Sequence, residues 1–242
     1  VFGLSDLAME EALFETPLTA TSLLTRGSER IPDRVSILRF SNLLEEHQFS
    51  IHLFTTVFAA KGLLLKSGTA IDATLISAPS STKDSSGERD PEMNQTKKGN
   101  QWHFGIKAHI GVDADSSLVH TADGTAANVN DVTQAGSLVP GEESDVFADA
   151  RYQGVGKYDE TQNIDVSWQV AMRPGKRRAL YKAMPMGEIM NKFENLKAST
   201  RVKVKHPFRV IKCQFRFVKA RYRSLAKNTA QLQTLFALRN LW

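Results

Sequence analysis

Hydrophobic positions change period along this chain. Over residues 1–67 they recur at helical spacing, and GLSDLAMEEALFE, RVSILRFSNLLEEH and IHLFTTVFAAKGLLL each predict a helix. Leu38 and Leu43, with Phe40 or Leu44, form the apolar stripe of the second. Ser5, Asp33 and Ser50 stand where a side-chain oxygen can accept an orphan N–H of a first turn, and Gly68 is expected to end the third helix. After Gly68 the period shortens to two. TAIDATLIS, rich in β-branched residues, predicts a strand. From Pro79 to Gln101 no apolar period survives, which predicts a long polar loop. HFGIKAHIGVDA and SSLVHTADGTA read as two strands joined by the turn DADSS. Asn128 or Asn130 is placed to cap a helix running through Leu138, which Pro140 and Gly141 close. SDVFADA predicts a short strand ending at Asp149, IDVSWQVAMRP another, and a helix-rich tail follows whose LQTLFALRNLW face is apolar enough for a core.

Strand, hairpin, helix, strand, strand, helix is the order of an RNase H-like fold. The expectation is therefore α/β (α+β): a mixed sheet flanked by helices in residues 68–242, preceded by a small helical region in residues 1–67. Three helices with short turns suit either a helix-turn-helix DNA module or a plain bundle that buttresses the next domain. The chain opens at Val1 within what reads as a helix, so its reading frame is expected to start upstream, or the chain to be a fragment.

Composition adds exclusions. Apolar content of 41% and charged content of 24% suit a globular protein. The only cysteine, Cys213, rules out an intrachain disulfide, is compatible with a reducing cytoplasm, and reads as a packed thiol. The richest apolar run, Leu53 to Leu65, is interrupted by Lys61 and Gly62, which argues against a membrane span. Charge is unevenly placed. Residues 201–242 hold eleven Lys or Arg and no Asp or Glu, a block of +11 in a chain of net +5, so residues 1–200 carry −6. A basic block on an acidic body suits either a polyanion-binding surface or a solvated basic helix with no partner.

Two aspartates have contexts that suit ligand chemistry, or else a turn cap or a salt-bridge partner. Asp72 lies within an apolar strand, where an ionised carboxylate needs a cation or a donor. Asp149 ends an apolar strand at a loop. Lys97, Lys98, Trp102 and His103 combine charge with aromatic surface, a set able to grip a nucleic-acid backbone or to lie as a solvated hairpin with Trp102 folded back on the core. His103 and His109 share a strand face but lack further zinc ligands nearby. YQGVGK does not make a phosphate-binding loop.

Long strings along the chain resemble the DDE transposases of bacterial insertion sequences, specifically the insertion-sequence-five-type branch. The densest are APSSTK, RDPEMNQTKKGNQWHFGIKAHIGVDA, ADARYQG, RPGK, HPFRVIKCQFRFVKARYR and LAKNTAQLQTLFALRNLW. The resemblance implies metal-dependent DNA cleavage and strand transfer, with Mg²⁺ or Mn²⁺ in a two-metal site. Asp72 and Asp149 match the first two acidic positions, which hold the metals. Arg201 and Lys212 match basic positions implicated in holding the element end. With Lys97, Lys98 and Arg209 they form the candidate DNA contacts. The implied partners are double-stranded DNA, as element ends and target, and a second copy of the chain, since two ends must be paired. The implied location is the bacterial cytoplasm, at the nucleoid when DNA-bound.

Three departures stand against that chemistry. Lys205 occupies the third acidic position, in VKHPFR where the family reads VEHPFR. Arg151 stands where ADAGYQG has glycine, and Arg216 where QFGF has glycine. Glu194 is eleven residues before Lys205, about 16 Å along a helix, too far to share a metal pair. The expectation is a transposase copy with weak or absent catalysis. The alternatives are a non-catalytic DNA-binding remnant that regulates transposition, or the product of a decaying gene.

Overall fold

A computed structural model describes residues 4–15, 31–60, 68–81, 87–141, 143–180 and 184–241. Three helices come first: α1 (Asp6–Glu15), α2 (Arg34–Glu46) and α3 (Phe49–Ala60). Ser5 Oγ accepts the Ala8 N–H at 3.2 Å and Asp33 Oδ1 accepts the Ser36 N–H at 2.7 Å, as the sequence predicts for both caps. Ser50 does not cap. Helix α3 already begins at Phe49, after Gln48 turns the chain at φ 51°, and Ser50 is buried inside the first turn. The expected end of that helix falls in residues 61–67, outside the described residues.

The sheet follows: β1 (Thr69–Ser77), β2 (Asn94–Lys98), β3 (Gln101–Asp113), β4 (Val119–Ala126), β5 (Asp145–Ala148) and β6 (Ser167–Val170). Its order is β2-β3-β1-β5-β6, with β4 also paired to β3. Strands β3 and β1 run antiparallel, while β5 and β6 run parallel to β1. This mixed sheet, curled and flanked by helices, is RNase H-like. One expectation fails here. NQTKK, assigned to a polar loop, is an edge strand paired with the start of β3. Its side chains face solvent on both sides, so no apolar alternation marked it; pairing to β3 alone holds it. The predicted helix through Leu138 is two 3₁₀ turns, Asp131–Gln134 and Gly136–Leu138, the first capped by Asn130. The predicted strand in IDVSWQVAMRP is confined to four residues.

Alternation along β1 divides the core. Ala70 and Ile76 face a cluster with Ile106, Ile110, Phe208 and Phe236, whereas Ile71 faces Val146, Leu138 and Tyr152 on the other side. Helices α4 (Pro174–Arg178), α5 (Pro185–Arg209) and α6 (Leu225–Leu241) complete the fold. Helix α6 buries Leu232, Leu235 and Phe236, so the apolar face read from the sequence is core. Its end is tied to the sheet. Asn240 receives the Val119 N–H at 3.0 Å and donates to the Val119 carbonyl at 2.7 Å, while Arg239 donates to the Ser117 carbonyl at 2.6 Å. Glycine is required where β1 and β3 come closest. A Cβ on Gly105 would lie 2.2 Å from the Ile76 carbonyl oxygen and 2.9 Å from the Ala78 nitrogen.

Helix α5 contains Pro207 and widens immediately after it into a π turn, Val210–Gln214. Cys213 in that turn is exposed, not packed as expected, because the burial stripe there falls on Val210 and Ile211. The next departure from regularity is Arg216, at φ 54°. A left-handed backbone costs a residue with a Cβ roughly 1–2 kcal/mol, which explains why glycine suits this position. Arg216→Gly is expected to raise unfolding free energy by about 1 kcal/mol, read as a denaturant midpoint shift at constant m-value.

Candidate functional site

The parallel register of β1 and β5 matches Ala70 with Phe147, so two residues further on Asp72 and Asp149 are level on neighbouring strands. Asp149 leaves β5 and turns: its Oδ1 accepts the Arg151 N–H at 2.7 Å and caps the 3₁₀ turn Ala150–Tyr152. Asp72 Oδ1 accepts the Ala73 N–H at 2.8 Å. Burial pushes the Asp72 carboxyl up to about 6. The Ala73 N–H opposes that rise, the Asp149 carboxylate adds to it, and Arg201 and Lys205 pull it down. The fold thus brings together Asp72, Asp149, Arg201 and Lys205, four of the residues singled out in the sequence. Arg201 and Lys205 are four apart on α5 and share a face, with Lys205 exposed. Lys205 forms no ion pair among the described residues and acts on Asp72 through its field.

Lys212 joins this group from the π turn. Its Nζ donates to Thr74 Oγ1 at 2.6 Å and to the Leu75 carbonyl at 3.0 Å, which fixes α5 to the end of β1 and leaves one of three donor hydrogens. Burial and then Lys98 lower its pKa, while Asp72 opposes them. Lys97 and Lys98 project from the exposed edge strand β2. They share a cleft of about 460 Å³ with Thr74, Lys107, Asp131 and Arg151. Arg209 is exposed at the end of α5. Trp102 is 66% exposed, so it is available as surface and does not fold back on the core.

Sequence reading missed a layer beneath the acids. Buried Asp131 receives Lys107 Nζ at 2.8 Å, and Arg151 Nη1 lies 3.5 Å from its other oxygen. Arg151 therefore turns its guanidinium to Asp131, while its backbone N–H serves Asp149. Tyr152 is fully buried, and its hydroxyl has no hydrogen-bond partner among the described residues. Burial first, then the carboxylates of Asp131, Asp72 and Asp149, raise its pKa well above the ordinary tyrosine value. The signal available was Lys107, a lysine within an otherwise apolar strand that needed an acid close by.

Glu194 cannot replace the third acid. It is buried at the end of β6, accepting the Met172 N–H at 2.8 Å and lying 3.4 Å from Lys197 Nζ. Two carboxylates with an ammonium at the third corner do not fit a pair of divalent cations, which require a surplus of anionic oxygen ligands. Among the described residues no group of three or more His, Cys, Asp or Glu is arranged to hold a metal ion.

Away from these acids, His120 Nε2 meets Thr69 Oγ1 at 3.0 Å, and Thr69 donates to Glu143 at 2.6 Å. Burial lowers the pKa of His120 to about 4, against the pull of Glu143 and Asp113, and burial likewise lowers His109 to about 4. Both histidines take up protons more readily unfolded. Their contribution is intact above the ordinary value of about 6.5 and is lost as pH falls towards 4. An NMR titration is expected to show the His120 ring neutral until pH nears 4, with stability declining across that window.

Residues 64–241 match a family model described as a transposase DDE domain. No solved structure matches the chain. No helix among the described residues is long and apolar enough to cross a membrane.

Proposed function

Because the chain belongs to the transposase DDE-domain family, whose members act on DNA and generally depend on divalent metals, we propose that it is a bacterial insertion-sequence-five-type copy that still grips DNA but cuts it poorly or not at all. Lys205 supports this reading: it stands on the face of α5 that acts on Asp72, where the family carries a glutamate. A third carboxylate would draw a divalent cation to Asp72 and Asp149, and an ammonium repels it. At an effective dielectric of about 20, unit charges 4 Å apart interact by about 4 kcal/mol and a divalent ion doubles that, an upper bound for Lys205, whose exposed head is screened by solvent. Asp72 and Asp149 are the proposed metal ligands, with Mg²⁺ or Mn²⁺ held only weakly.

DNA contact falls to the basic groups around the acids. Lys97, Lys98, Arg201, Arg209 and Lys212 are the proposed phosphate contacts, and the acid-free block from 201 to 242 supplies the wider field. Residues 1–67 form the proposed end-binding or buttressing region and residues 68–242 the domain that holds the acids. Two copies pair on DNA, in the cytoplasm of the host.

The test is duplex binding in EDTA across a salt series. Neutralising roughly six phosphates predicts a log–log slope near −5. Salt-independent binding, or none, would refute the proposed grip.

A further inference from the structure

We propose that the chain pairs reciprocally with a second copy, α1 of each docking on the outer face of α5 of the other. This gives a surface to the pairing proposed above and does not depend on DNA contact or cleavage.

The first half of α5 presents Met186, Ile189, Phe193 and Leu196 at spacings of three, four and three, an unbroken apolar stripe with exposures of 68%, 62%, 49% and 64%. Beside it lies a groove of about 720 Å³, floored by Val170 and Met172 at β6, the strand that ends the sheet. An apolar stripe of this kind on a soluble helix marks a contact surface.

Helix α1 offers the matching element. Leu7, Glu11 and Phe14 repeat the four-three part of that spacing on α1, Leu7 and Phe14 are exposed, and Leu4 is exposed just ahead of the helix. Two stripes of equal period pack along one seam. Charge selects this pairing over α5 against α5. Helix α1 carries Asp6, Glu10, Glu11 and Glu15 and no basic residue. The groove is bordered by Lys176, Lys192 and Lys197, with Arg177 and Arg178 in the adjoining α4. Lys192 is paired with Glu188 at 2.7 Å and Lys197 with Glu194, so cations remain in excess there. Two basic borders would repel each other, whereas an acidic helix is attracted.

Sedimentation and interchain disulfide trapping of the whole chain test this in a Cys213→Ser background. A two-copy mass is expected, with each of Phe14→Asp and Phe193→Asp weakening association about 30-fold or more. Both side chains are exposed, and circular dichroism is expected to stay unchanged. Phe14→Cys with Phe193→Cys should cross-link between chains, and neither single variant should. A monomer throughout would overturn the pairing of copies itself. A two-copy mass with Phe193→Cys linking to its own equivalent, a cross-link within one chain, or an open ladder of oligomers would overturn only this surface.

Discussion

Lys205→Glu is expected to nick DNA in the presence of Mg²⁺ or Mn²⁺ far faster than the unaltered chain, which is proposed to cut poorly or not at all. The exchange replaces a positive charge by a negative one on the face of α5 that acts on Asp72. Lys205 is exposed, so solvent screens its repulsion, and the larger share of the gain in metal affinity comes from the added carboxylate ligand. Calorimetry should therefore detect divalent-ion binding by the variant at concentrations where the unaltered chain shows none. Nicking of supercoiled plasmid should follow the same metal dependence. Arg151 need not be changed first, because its guanidinium is directed at Asp131. Efficient cutting by the unaltered chain would contradict the assignment of Lys205 as the disabling residue. Metal binding by Lys205→Glu without any nicking would instead place the fault in how DNA is presented.

The largest loss of stability is expected from Gly105→Ala. The added methyl would sit 2.2 Å from the Ile76 carbonyl oxygen and 3.0 Å from Ser77 Cα, both backbone atoms that cannot rotate away. Relief requires parting β1 from β3, whose ladder runs unbroken from Thr69↔Asp113 to Ser77↔Gly105. A cost of about 3 kcal/mol or more is expected, which for a chain of this length lowers Tm by roughly 10 °C. The strands that separate include the one bearing Asp72, so the proposed DNA contact through Lys212, bonded to Thr74 and Leu75, should weaken in parallel. An unchanged melting temperature would mean that the two strands do not meet as closely as described.

Where burial imposes a period, the sequence was legible. TAIDATLIS became β1 with the bounds its alternation predicted, and LQTLFALRNLW became the core face of α6. Where pairing or capping decides the structure, it was not. NQTKK has no buried face, so only the partner strand makes it β2. Ser50 looked like a cap, but Gln48 adopts the positive φ that starts the helix earlier. The site divides in the same way. Asp72, Asp149 and Lys205 carry family wording and could be named in advance. The Asp131–Lys107 pair depends on a contact across 24 positions, and the burial of Tyr152 on a cluster that includes distant Ile71, neither of which a local pattern encodes.

The clasp at the end of α6 has a consequence for the order of events on the ribosome. Val119 has both backbone groups held by the side chain of Asn240, 121 positions later. Strand β4 can pair with β3 during synthesis, but Val119 at its start stays unclasped until Asn240 has emerged. Such distant closure slows folding. A chain that lacks Asn240 should therefore exchange its Val119 amide hydrogen faster than one that has it.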